Sequence, residues 1–171
     1  STGQESVEIL NRRCTVGLLD FVKDAGAKLT GRDTSEERAE AEALEELRKG
    51  NSLVRHVFAL GLEIEEPKIT YDDGIATIRG SCPSQKEKEK VVLAVGNVAG
   101  VSQVDDQIVV EAPEPEATFY TVVSGDTLSK IAKEHYGDAM KYPTIFEANK
   151  PMLTDPNKIY VGQVLRIPPL A

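Results

Sequence analysis

Residues 119–137 read FYTVVSGDTLSKIAKEHYG, and this stretch decides how the C-terminal third folds. Phe119 to Val123 is a run of β-forming residues, so a strand is expected. Ser124-Gly125-Asp126 is a turn, Asp126 can cap a helix over Thr127 to Tyr136, and Gly137 stops it. Continuing outward, Tyr142 to Asn149 reads as a second helix and Pro151 to Asn157 as a loop. Val164 to Ile167 then forms a closing strand. The order is β-α-α-β in about 50 residues, a size a small module can reach.

Upstream, Ala112-Pro-Glu-Pro-Glu-Ala117 carries two prolines and two glutamates. Such a segment resists helix and sheet, so a stiff, acidic, extended linker over residues 112–118 is expected, with the module occupying 119–171. Before it, Lys68–Tyr71 and Ile75–Arg79 are β-rich runs joined by Asp72-Asp73-Gly74, a hairpin signal. Ser84 is positioned to cap a helix from Gln85 to Val95, whose apolar face is Val91, Val92 and Val95, and Gly96-Asn97 ends it. A strand from Val101 to Val110 follows. Two helical segments are expected further back. Thr34 or Ser35 starts one that runs to Lys49, with Glu36 and Glu37 in its first turn. Gly50-Asn51 breaks it, and Ser52 caps a second, in which Leu53, Val57 and Leu60 form a buried stripe before Gly61. Val16–Leu29, VGLLDFVKDAGAKL, is a short amphipathic helix candidate weakened at Gly26. Ser1–Thr15 look unlike the rest and read as a flexible N-terminal extension. The expected fold class is α+β: a layered αβ unit with an N-terminal helix over residues 16–111, followed by the βααβ unit.

The 171 residues carry 28 acidic and 20 basic side chains, a net charge of −8. That surface repels phosphate backbones and anionic lipid, which argues against nucleic-acid and membrane-surface binding. Only Cys14 and Cys82 are present, with no CxxC pair, so neither a disulfide scaffold nor a thiolate zinc site is expected. No apolar run approaches the roughly 18 residues of a membrane span. The apolar stretch after Arg12 and Arg13 is broken by Asp20, Lys23 and Asp24, unlike a signal peptide, and a cytoplasmic location is expected.

The C-terminal segments FYTVVSGDTLSKIAKEHYG, IFEANKPML and DPNKIYVGQVLRIP together resemble the LysM family over the whole module. The resemblance implies a βααβ fold that binds N-acetylglucosamine-containing glycans such as peptidoglycan, in a groove between the first strand–helix loop and the loop before the last strand. Matched by motif, the glycan-binding candidates are Gly125, Asp126, Thr127, Leu128, Pro156 and Ile159. Small residues and backbone donors suit close approach of a sugar ring. Read without the resemblance, Asp126 and Leu128 simply build the turn and the cap.

IRGSCPSQKEKEKVVLAVGNVAGVSQVDDQI, after the Tyr-Asp-Asp-Gly hairpin, resembles a BON domain. The helix GLLDFVKDAGAKL, the BON-like region, the acidic linker and the LysM-like end together resemble one family, the cytoplasmic bacterial potassium-binding proteins. FVKDAG, VLAVGN, VDDQ and IFEANKPML all fit it; the leading fifteen residues and the region from Arg48 to Glu65 depart from it. The resemblance implies that K⁺ is held by backbone carbonyls of Val22, Lys23, Ala25, Gly96, Val98 and Val101, and that the protein becomes compact on binding. Helix ends with unpartnered carbonyls and a negative dipole suit a large, weakly hydrated cation, as carbonyl rings do in channel filters. Read from the residues alone, VGNVAGV is only a helix stop and a strand start.

Other patterns carry less. Asp72-Asp73-Gly74 fits a hairpin better than a calcium loop. His56 and His135 read as structural or exposed rather than as metal ligands. Lys86–Lys90, KEKEK, reads as a solvated helix face with local ion pairs. Gly96-xxx-Gly100 lies in a segment too short and too charged for a membrane dimer motif. No GxSxG, Walker or GxGxxG pattern occurs, and the chain is expected to be a monomeric non-enzyme. Three functions remain open: a K⁺ sensor or buffer, an envelope adaptor holding peptidoglycan through its LysM-like end, and a chain whose LysM-like module has lost sugar binding and binds protein or its own BON-like neighbour instead.

Overall fold

The computed structural model describes residues 18–20 and 35–170. In chain order the elements are strand β1 (Leu18–Asp20), helix α1 (Ser35–Ala59), strands β2 (Glu65–Asp72) and β3 (Ile75–Ser84), helix α2 (Gln85–Gly96) and strand β4 (Gln103–Ala112). Then come β5 (Thr118–Thr121), α3 (Leu128–Tyr136), a 3₁₀ turn (Ala139–Lys141), α4 (Tyr142–Ala148) and β6 (Val164–Ile167). The fold class is α+β, as expected.

The first sheet has the order β1-β4-β3-β2. β2 and β3 form the expected hairpin, with Asp72 opposite Ile75. The two turn residues, Asp73 and Gly74, have φ of 41° and 89°, the positive pair a two-residue turn needs to follow the twist of its strands. α2 then crosses over so that β4 runs parallel to β3, with Ala76 opposite Val104 and Ile78 opposite Asp106. Ala76, Ile78, Cys82 and Val104 are fully buried, as are Leu53 and Val57 of α1 and Val91 and Val95 of α2. The core therefore lies between one sheet face and the two helices. Cys82 is a free thiol, and burial, then the nearby Glu87 and Asp106 carboxylates, push its pKa up to about 12.

Several expectations are corrected. Leu18–Asp20, inside the stretch that reads as a helix over 16–29, is a strand, antiparallel to β4 with Leu18 opposite Asp105 and Asp20 opposite Gln103. Without it the outer edge of β4 would present unpaired backbone groups, and that pairing overrides a weak local helical pattern. Helix α1 runs unbroken through Gly50-Asn51-Ser52. Gly50 is not a breaker. A Cβ there would sit 2.5 Å from the Ile69 carbonyl oxygen, so glycine lets α1 approach β2. β4 starts at Gln103 rather than Val101, because the turn after α2 runs through residues 97–100 and pairing begins only after Ser102.

β5 and β6 form the second sheet, antiparallel, with Thr121 opposite Val164. Val122, Ile131, Ala132, Ile145, Leu153, Leu165 and Ile167 make a second core under it. The cap of α3 is Thr127, whose hydroxyl accepts from the Lys130 N–H, and not Asp126 as expected; Gly137 does close this helix. Asn149 is buried and ties α4 to β6: its amide donates to the Ile145 and Arg166 carbonyls at 2.7 and 2.8 Å and accepts from the Arg166 N–H at 2.7 Å.

The two cores touch. All four residues of β6 are buried. Leu165 and Ile167 face their own core, while Val164 joins the core of the first unit. Between β4 and β5, residues 113–116 are exposed, but the segment is pinned at its end. Ala117 is buried, and its N–H donates to Glu89 on α2 at 2.9 Å.

Candidate functional site

The turn after α2 is the part of the potassium-site expectation that the described residues contain. Its backbone follows from the end of the helix. The Asn97 N–H reaches back to the Leu93 carbonyl and the Val98 N–H to Val95. The Val101 N–H then closes on the Val98 carbonyl at 3.1 Å. Gly96, the last helical residue, and Val101 are buried, and Val98 is half-buried. Three neighbours hold the turn. Lys49 Nζ donates to the Ala99 carbonyl at 2.7 Å and lies 5.9 Å from the centre of the Tyr71 ring. The Tyr71 hydroxyl donates to the Gly100 carbonyl at 2.8 Å. From the hairpin, the Gly74 carbonyl accepts from the Ser102 N–H at 2.7 Å and the Ser102 hydroxyl at 3.1 Å.

Gly96, Val98 and Val101 are thus brought together in one short turn. Val22, Lys23 and Ala25 lie outside the described residues, as does Gly26. The chain leading to them enters beside this turn, since Asp20 is paired with Gln103, two residues beyond Val101.

Of the glycan-binding candidates, Leu128 and Ile159 meet at the second core, and several of the others have structural roles. At the end of β5, the Val122 N–H donates to the Gln163 carbonyl and the Gly162 N–H to the Val122 carbonyl, at 2.8 and 2.9 Å. The loop carrying Gly125, Asp126 and Thr127 therefore departs next to the segment that follows Pro156 and Ile159. Asp126 accepts from the Tyr120 hydroxyl at 2.8 Å and the Val123 N–H at 2.9 Å. Those two bonds hold its carboxyl below the usual aspartate value, and the Asp126 bond is the first cause pushing Tyr120 up to about 12. Lys130 Nζ donates to the Gly125 carbonyl at 2.7 Å. Leu128 is buried and Ile159 packs against the second core. Val161 and Tyr160, beyond them, are exposed.

The sequence reading allowed the LysM-like module to bind its BON-like neighbour but named none of the residues that make the contact. Glu89 and Arg166 form a buried ion pair, and Glu89 also accepts from Gln85 at 3.0 Å and from the Ala117 N–H. KEKEK is therefore not a simple solvated face: Glu89 is 2% exposed. Lys88 pairs with Asp106 at 3.1 Å, across to β4. The spacing contained a hint, since Glu89 stands three and four residues before the buried Val92 and Leu93, on their stripe. The Asn97 amide makes two further bonds to Val164, at 3.0 Å each. A cavity of about 430 Å³ lies beside them, with Leu53, His56, Asn97, Met152 and Tyr160 among its walls. His135 stacks edge-on against Tyr120. Among the described residues, no three His, Cys, Asp or Glu side chains are grouped to hold a metal ion, and no helix is long and apolar enough to cross a membrane.

Comparison with known proteins places these units in families. Residues 51–112 match the BON domain model and residues 120–168 the LysM domain model. Across nearly the whole chain, the protein is 46% identical over 154 residues to the potassium binding protein Kbp of Escherichia coli O6:H1, covering 90% of this chain and 99% of that protein. The chain belongs to the Kbp family. Shorter similarities exist to an esterase of Mycobacterium tuberculosis, 46% identical over 74 residues, and to an uncharacterized protein of Deinococcus radiodurans, 36% identical over 102 residues. They cover 41% and 53% of this chain, but only 16% and 40% of those proteins. The esterase match thus leaves most of that protein aside, whereas the Kbp match spans both the BON and the LysM units and what joins them.

Proposed function

We propose that this protein is a cytoplasmic K⁺ sensor or buffer that acts as a monomer. It holds the ion through the backbone carbonyls of Val22, Lys23, Ala25, Gly96, Val98 and Val101, and becomes compact on binding. The full-length likeness to Kbp supports the ion, and the β1–β4 register is the observation that carries the site. Asp20 is paired with Gln103, and Val22 stands two residues beyond Asp20. The described end of β1 therefore lies beside the turn that carries Gly96, Val98 and Val101. Main-chain oxygens favour a large monovalent cation over hard divalent ions, which recruit carboxylates.

An ion that binds only the folded, closed form stabilises it by about 2.7 kcal/mol at a hundred-fold excess over Kd. The melting temperature is expected to rise in KCl and not in NaCl at equal ionic strength. Equal shifts in both salts would remove the specific ion.

The LysM match supports a second reading, a glycan-binding envelope adaptor using Gly125, Asp126, Thr127, Leu128, Pro156 and Ile159. Retention on purified peptidoglycan, with no difference between potassium and sodium in melting, is the outcome that would favour it.

A further inference from the structure

The residue that follows Gly96 in the proposed ion-binding turn is also the one that grips the LysM unit. The Asn97 side-chain amide donates from Nδ2 to the Val164 carbonyl, while Oδ1 accepts from the Val164 N–H, both at 3.0 Å. A primary amide is the side chain that can mimic a backbone unit in this way, one donor and one acceptor in a plane. Val164 is already paired with Thr121 on β5, so Asn97 occupies the other edge of β6. These bonds join residues 67 apart in sequence. Meanwhile the Asn97 main chain belongs to the turn itself, its N–H bonded to Leu93 and its neighbours being Gly96 and Val98. Any rearrangement of the Gly96 and Val98 carbonyls around an ion therefore moves the Asn97 side chain relative to β6.

We infer that Asn97 is a positioning residue that links ion occupancy of the 96–101 turn to the seating of the LysM unit on α2. The inference rests on the potassium reading above and adds the path by which the ion is read out. The second anchor, Glu89 to Arg166, lies two helical turns earlier on α2 and touches no part of the turn. It fixes where the LysM unit sits, and Asn97 makes that seating depend on the turn. Coupling of this kind is reciprocal: whatever seating adds to ion affinity, the ion adds to seating.

The test uses the full chain with Asn97→Ala and Asn97→Asp. Both leave the backbone bonds that end α2, and the second keeps an acceptor for the Val164 N–H while losing the donor. Potassium affinity is read from the KCl dependence of melting against NaCl, and module separation from the radius of gyration in small-angle scattering in the two salts. Wild type is expected to contract in K⁺ and not in Na⁺. Asn97→Ala should lose that contraction and bind K⁺ about tenfold more weakly, within the range usual for coupled sites, with Asn97→Asp in between. If wild type responds and both variants respond equally strongly, Asn97 is only a structural cap and the inference is overturned. If wild type itself shows no potassium-specific response, the potassium reading fails and takes this inference with it.

Discussion

Asp126 shows how one carboxylate acquires a structural task in a loop that also reads as a ligand site. It accepts from the Tyr120 hydroxyl and the Val123 N–H, and these bonds favour its ionised form. A carboxyl with a lowered folded pKa adds stability above its ordinary value near 3.8, and that contribution is lost as pH falls through the folded value. Asp126→Asn should therefore melt lower than wild type at neutral pH, with the difference shrinking as the pH falls below about 4. The Tyr120 phenol supplies a second readout. Its ultraviolet titration, expected near 12 in wild type, should move down toward the ordinary value of 10 in Asp126→Asn. A Tyr120 midpoint unmoved by the substitution would show that the hydrogen bond is not what raises it. At this scale the sequence was partly legible. The turn residues and Gly137 announce themselves, but Asp126 and Thr127 are both good caps and adjacent. Only the geometry decides that Thr127 takes the helix and Asp126 the strand end.

Among the elements, α1 carries the clearest lesson. Glycine inside a helix normally costs about 1 kcal/mol relative to alanine, so Gly50-Asn51 reads as a break. The helix nevertheless continues, because Gly50 lies against the Ile69 carbonyl where a Cβ would come within 2.5 Å. Gly50→Ala therefore sets a propensity gain against a backbone clash. Overpacking of this kind typically costs about 1–3 kcal/mol, so the clash should win and the melting temperature should fall. A rise in melting temperature would mean that α1 can step away from β2 freely. The hairpin was legible because Asp73 and Gly74 suit positive φ locally, and α2 because Ser84 caps it and its valines share a face. β1 was not. Three residues paired to a strand more than eighty positions away leave no periodic trace, and their amphipathic spacing pointed to a helix.

At the level of the whole molecule, the joint between the units carries buried polar pairs beside the apolar contact of Val164. Glu89 and Arg166 are both almost fully buried and pair across it, with Gln85 and Ala117 completing the carboxylate's partners. Removing one member of such a pair strands the other charge and typically costs about 3–5 kcal/mol, whereas replacing both by apolar residues can be neutral. Arg166→Leu should accordingly lower stability strongly, and Glu89→Leu combined with Arg166→Leu should recover most of the loss in denaturant titration. A double variant as unstable as the single one would show that packing, rather than the stranded carboxylate, sets the cost. The spacing of Glu89 hinted at its burial, but not at its partner, because residues 77 apart in sequence carry no local mark of their meeting. What the sequence did supply was the kinship of the two units and the suggestion that main-chain oxygens near Gly96 hold K⁺.

That suggestion is tested most directly by locating the ion. In crystals of the full chain grown with Rb⁺ in place of K⁺, anomalous scattering should give one strong peak. It should be ringed by the carbonyl oxygens of Val22, Lys23, Ala25, Gly96, Val98 and Val101. A peak held instead by carboxylates elsewhere on the surface, or none beside the turn after α2, would contradict the account.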